Sequence, residues 1–87
     1  MTDDLERWTD ALPTFRYKVI PHGSRSSSER RQMRRWCMDR FGSNRLLTDD
    51  AGVVWVSQST VWRHHNGEFG FRNADHAFEF KMRWGGV

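Results

Sequence analysis

The pattern of this 87-residue chain predicts an α+β domain, a small two-layer sandwich with helices on one face of a mainly antiparallel sheet. Three observations predict it. Residues 26–42, SSSERRQMRRWCMDRFG, hold the longest clean helical periodicity in the chain. Asn66-Gly67, the strongest two-residue hairpin signal, joins two runs of alternating character. Hydrophobic residues are only 37% of the chain, yet five Trp and six Phe supply large apolar area per residue, enough for one modest core and not for two.

Residues 1–12 read as a short amphipathic helix. Thr2 serves as its cap, Asp3 and Asp4 suit its first turn, Leu5, Trp8 and Leu12 share a stripe, and Pro13 ends it. The alternative is a terminus held by Trp8 alone. Residues 1–13 are thus an extension to a single domain spanning 14–87. Residues 14–20 alternate as a half-buried strand, with Phe15, Tyr17 and Val19 on one side and Arg16, Lys18 and Ile20 on the other. Pro21 closes this strand, and residues 22–25 lead into the central helix.

That helix starts at a capping box, Ser26-x-x-Glu29, and stops at Gly42, with Arg40 in the last turn where it suits the helix dipole. Met33, Trp36, Cys37 and Phe41 recur at spacings of three and four and form the core stripe. Arg31, Arg35 and Asp39 point the other way, with Arg35–Asp39 an i,i+4 pair, while Arg30 and Arg34 flank the stripe. A polar turn over 43–45, a short strand over 46–48, a turn at Asp49-Asp50-Ala51-Gly52 and a β-branched strand over 53–56 follow. Residues 57–59 read equally as a bulge or a loop.

The Asn-Gly turn sets a register in which His65 opposes Glu68, His64 opposes Phe69, Arg63 opposes Gly70 and Trp62 opposes Phe71. Trp62, His64, Phe69 and Phe71 then face the core, and Val61, Arg63, His65, Glu68 and Arg72 the opposite side. Residues 74–84 alternate as a strand would, but Asn73 is a good N-cap, Asp75 suits a first turn, Lys81 and Arg83 a last one, and Gly85 a stop. Helix is the favoured reading. The nearest named architecture is ferredoxin-like or split β-α-β, with a right-handed crossover through the central helix.

Two stretches, RRWCMDRFG and FGFRNADHAFEFKMRWGG, together about a third of the chain, carry a pattern that extends over about half of it. Their pattern is W-x-x-x-x-F-G closing a helix, a tryptophan strand, then F-x-F before an Asp-x-Ala segment ending F-K-x-R-W. It resembles short accessory proteins of tailed bacteriophages. The resemblance implies a phage-type accessory protein that docks on host machinery, and no catalytic residue travels with it.

The residues themselves exclude several classes. No apolar run is long enough to span a bilayer. A lone cysteine permits no intrachain disulfide and fits a reducing, cytoplasmic setting. His22, His64, His65 and His76 with Cys37 match no metal-site spacing, and adjacent strand histidines point to opposite faces. There is no glycine-rich phosphate loop, and Cys37 lies on the core stripe, so neither an enzyme nor a cofactor is expected. Net charge is +3, and twelve of the fourteen basic residues are arginine, whose fork matches phosphate and carboxylate.

The expected function is therefore that of a non-catalytic basic binding module contacting nucleic acid or a nucleoprotein. Its surface would be the open sheet face (Arg16, Lys18, Trp55, Arg63 and Arg72) together with the arginine back of the helix (Arg31 and Arg35). The alternative is a modulator that binds a host protein through the same tryptophan and arginine side chains. A homodimer across a face carrying Ile20, Val61 and Trp55 is a further expectation.

Overall fold

The computed structural model describes residues 4–21, 26–65 and 67–86. Along the chain run β1 (Leu5–Arg7), α1 (Trp8–Ala11), a 3-10 turn (Leu12–Thr14), β2 (Tyr17–Val19), α2 (Ser27–Phe41), β3 (Leu46–Thr48), β4 (Val54–Ser57), β5 (Trp62–His65), β6 (Glu68–Phe71) and α3 (Ala74–Trp84). The fold is α+β, with every strand pair antiparallel. The strands divide between two three-stranded sheets, β1-β4-β3 and β2-β6-β5, where the sequence suggested one. α2 leaves β2 in the second sheet and delivers the chain to β3 in the first. The chain then returns to the second sheet at β5, which runs parallel to β2 with β6 between them, so β2, α2 and β5 form the expected split β-α-β arrangement, with β3 and β4 inserted after the helix.

The second sheet is the better determined by local sequence. In the β5–β6 hairpin, Trp62 opposes Phe71, Arg63 opposes Gly70, His64 opposes Phe69 and His65 opposes Glu68, the register set by the Asn-Gly turn. Asn66 itself lies outside the described residues, as do the expected Thr2 cap and residues 22–25. β2 joins the other edge of β6, pairing Tyr17 with Phe71 and Val19 with Phe69.

Both long helices cover one face of this sheet. α2 carries the expected capping box: the Ser26 hydroxyl accepts the Glu29 N–H at 3.1 Å, and the Glu29 carboxylate accepts the Ser26 N–H at 3.2 Å. Its Met33 and Cys37 are fully buried, with Trp36 and Phe41 packed at the margin. α3 is a helix, as its caps foretold: the Asn73 side chain accepts the Asp75 N–H at 2.8 Å, and Gly85 ends the element at φ +77°. Its Ala77 and Phe80 are buried, whereas Phe78 and Met82 stand in solvent. An ion pair between Arg40 of α2 and Glu79 of α3 joins the two helices across the top.

The main core therefore gathers Val19, Met33, Cys37, Trp62, Phe69, Phe71, Ala77 and Phe80. Trp62 also fixes the end of α2. Its indole N–H donates to the Gly42 carbonyl at 2.7 Å, where Gly42 turns the chain away at φ +94°.

A second, smaller cluster sits under the first sheet, formed by Ala11, Phe15 and Val56 with Trp8 packed on it. The sequence argued for one core only. The satellite arises because the 3-10 turn at Leu12–Thr14 rotates Phe15 out of the β2 alternation and into contact with Val56. Tyr17, expected on the core side, is exposed, although its partner Phe71 on β6 is fully buried. Residues 5–7, expected to be helical, instead pair with β4, Glu6 opposite Val56 and Arg7 opposite Trp55. The result is elongated, 38 × 25 × 21 Å.

Candidate functional site

The residues expected to form one open basic sheet face are dispersed by the two-sheet arrangement. Arg63 does lie on the sheet face away from α2 and α3, opposite Gly70, but it is only 6% exposed. The missing side chain at Gly70 leaves the space its guanidinium fills. A Cβ there would stand 2.9 Å from Arg63 Nε and 3.1 Å from its Cγ. Arg63 Nη2 meets Glu68 Oε2 at 3.1 Å in a pair whose arginine is almost wholly enclosed. The expectation that Arg63 offers its charge to solvent is thus corrected. A Gly70→Ala substitution should displace this arginine and destabilise the protein by about 1–3 kcal/mol, checked by urea denaturation. No loss of stability would mean that Arg63 can leave its enclosure freely.

Arg72 is likewise occupied. Its Nη2 donates to Glu6 Oε1 at 2.7 Å, its Nη1 to the Gln58 carbonyl at 3.1 Å, and its guanidinium lies 4.7 Å from the centre of the Phe15 ring. Glu6 belongs to β1, Gln58 follows β4 and Phe15 lies in the satellite cluster, so Arg72 is the clamp between the two sheets. Removing it would loosen that junction, which makes it a poor probe of binding.

Trp55 lies on the first sheet, away from the basic residues of the second. Its indole N–H donates to Asp49 Oδ2 at 2.9 Å, and the Arg7 guanidinium stands 5.9 Å from its ring. That hydrogen bond, with those from the Val53 and Ala51 amides, holds the Asp49 carboxyl below its ordinary range. Asp49 thereby organises the turn between β3 and β4, as the Asp49–Gly52 turn signal anticipated. Trp55 lines a shallow hollow of about 360 Å³ with Leu5, Leu47, Thr48 and Asp49. Arg16 and Lys18 remain exposed, Lys18 on the same sheet face as Arg63.

The arginine helix is different. Arg31, Arg34, Arg35 and Met38 follow one another at i, i+3, i+4 and i+7, hence along one stripe of α2. α2 packs beside β5, the edge strand of its sheet, and this stripe overhangs that edge. Between helix and strand lies a cleft of about 610 Å³, lined by Arg31, Arg34, Arg35, Met38, Asp39, Asn44, Trp62 and His64. Arg31, Arg34 and Arg35 are exposed and have no acidic partner among the described residues. The anticipated Arg35–Asp39 pair is not closed, although both side chains border the cleft.

His64 stands at the floor of the cleft. Its ring packs on Phe69 at 4.5 Å between centroids, and its Nε2 is enclosed without a hydrogen-bond partner among the described residues. Burial pushes its pKa down, reinforced by the positive charges of Arg34, Arg30, His65 and Arg63. A histidine with a depressed folded pKa binds its proton more readily in the unfolded chain. Its contribution to stability is therefore present above the ordinary histidine pKa of about 6.5 and declines as pH falls below it.

Sequence reasoning named Arg31 and Arg35 but set Arg34 at the margin of the core stripe and His64 within the core. The i+3, i+4 spacing of 31, 34 and 35 was the available signal. The cleft itself required knowing that α2 lies against the β5 edge.

Cys37 is fully buried, and burial pushes its thiol up to about 12, far from a nucleophile's range. Among the described residues no hydrogen bond joins Cys37 to His64, and no three His, Cys, Asp or Glu side chains are grouped to hold a metal. His22 lies outside the described residues. Among those described, no helix is long and apolar enough to cross a membrane. No family model, curated protein or solved structure matches this chain.

Proposed function

We propose that this protein is a non-catalytic binding module that holds the phosphate backbone of a nucleic acid, free or within a nucleoprotein, in the cleft between α2 and β5. The observation that carries this reading is the stripe of Arg31, Arg34 and Arg35, three guanidinium groups without acidic partners among the described residues, along one wall of a cleft. Each presents donors in a planar fork that matches two phosphate oxygens, and together they span little more than one helical turn. Arginines built only for solubility are commonly balanced by i,i+4 acids, and here the one candidate, Asp39, does not pair with Arg35. Exposed Arg16 and Lys18 add a secondary, sequence-independent attraction.

Titration of fluorescently labelled single-stranded and duplex oligonucleotides at about 50 and 200 mM salt tests the reading. Three phosphate contacts to a single strand predict affinity falling roughly twentyfold over that range. Failure to bind any oligonucleotide at the lower salt would overturn it.

A second reading is favoured by the outer face of the first sheet, where Leu47 and Leu5 flank Trp55 in an apolar hollow. That face suits a protein partner anchored on a tryptophan, in keeping with the host-directed role implied by the resemblance to phage accessory proteins. A partner retained after nuclease treatment and lost on Trp55→Ala would favour this reading.

A further inference from the structure

We propose that His64 couples phosphate binding in the α2–β5 cleft to the uptake of a proton, so that the cleft holds a polyanion more tightly in mildly acid than in mildly alkaline solution. The inference rests on the reading of the cleft as a phosphate site and adds its regulation.

The geometry is that of an acceptor site awaiting a counter-charge. His64 lines the same cleft as Arg31, Arg34 and Arg35, and its Nε2 is enclosed yet has no hydrogen-bond partner among the described residues. The groups that face it are nearly all cationic or neutral. From α2 come Arg30 and Arg34 and from β6 the Phe69 ring, while Arg63 and His65, its neighbours on β5, add positive charge from the opposite face. Glu68, the nearest acid on the hairpin, is engaged with Arg63 on the opposite face. Asp39 borders the cleft but is a full turn or more along α2 from Arg34. In the free protein this setting disfavours the imidazolium, because burial and like charge both oppose it.

A bound phosphodiester reverses both influences. It offsets the arginine charges, and it supplies an oxygen that can accept from an imidazolium N–H at the cleft floor. The complex then takes up a proton at His64 more readily than the free protein does. Reciprocity requires that lowering the pH strengthens phosphate binding by the same factor by which phosphate favours protonation. Each unit by which binding raises the histidine pKa gives up to about a tenfold gain in affinity across the transition. Internal phosphodiesters stay fully ionised over this range, so the ligand contributes no titration of its own.

The test uses the full chain and an unphosphorylated, labelled single-stranded oligonucleotide at constant ionic strength, at pH 5.5 and pH 8.0. Wild type should bind more tightly at the lower pH, and His64→Gln should bind with little pH dependence. In parallel, the His64 ring resonances of the wild-type protein are followed by NMR against pH, with and without saturating oligonucleotide, a readout that needs no substitution. An upward move of the His64 titration on binding supports the proposal. Equal pH dependence in wild type and His64→Gln, or an unchanged His64 titration in the complex, overturns it while leaving the cleft as a phosphate site. No binding at either pH overturns both.

Discussion

Phe80→Ala should lower the stability of this protein by about 3–5 kcal/mol, the range for emptying a fully enclosed phenylalanine site. Phe80 is completely buried, with Phe69, Phe71 and Trp36 rings at 4.6, 5.6 and 6.1 Å. It is the side chain through which α3 reaches both the β5–β6 hairpin and α2. Domains of this size hold roughly 0.05–0.15 kcal/mol per residue, so the loss is comparable with the whole stability. The urea midpoint should fall by about 2 M or more. Phe78→Ala, one turn-half away in the same helix, provides the contrast. Phe78 is 64% exposed, and its removal should change stability by no more than about 0.5 kcal/mol. Equal effects at the two positions would contradict the burial of one helix face and not the other.

Replacing Arg31, Arg34 and Arg35 together by Gln should leave the fold intact and remove most of the affinity for nucleic acid. All three side chains are exposed and none takes part in an ion pair among the described residues, so the expected change in stability is small. Each lost phosphate contact should reduce the slope of log affinity against log salt by about 0.7 for a single strand, hence about two in all. At 50 mM salt binding should weaken by one to two orders of magnitude, roughly the range of that many lost contacts. The comparison with Arg63→Ala is informative because that arginine is enclosed and paired with Glu68. Its removal leaves an acid without its partner and should appear first as lost stability. A triple variant that binds as well as wild type would leave Arg16 and Lys18 as the basic surface and the α2 cleft without a role.

How far the sequence reached depended on the range of the signals. α2 and the hairpin were legible because their determinants are local: a capping box four residues long, and an Asn-Gly pair that sets four cross-strand pairings. α3 was legible from its caps, although its alternating aromatics argued for a strand. The division into two sheets was not legible. It depends on Leu5–Arg7 meeting Val54–Ser57, a three-residue strand pairing over half the chain length with no turn to announce it. Phe15 was misplaced for a related reason, since a single 3-10 turn was enough to transfer it from one core to another.

The burial of Arg63 has a readable signal in the sequence. The Asn-Gly register already set Arg63 opposite Gly70, which leaves room for a guanidinium to lie flat, with Glu68 within reach on the same hairpin. Binding residues could be named by type but not assembled, because Arg31 and Arg35 acquire a cleft only when α2 is set against the β5 edge.

The most direct measurement is a two-dimensional NMR titration of the isotopically labelled protein with a short single-stranded oligonucleotide, following backbone amides and arginine side-chain N–H groups. If the α2–β5 cleft holds the phosphate backbone, the largest shifts fall on residues 31–38, on Asn44 and on Trp62 to His64, with the Arg31, Arg34 and Arg35 side-chain signals moving most. Shifts concentrated instead on Leu5, Leu47 and Trp55, or confined to Arg16 and Lys18, would contradict the account.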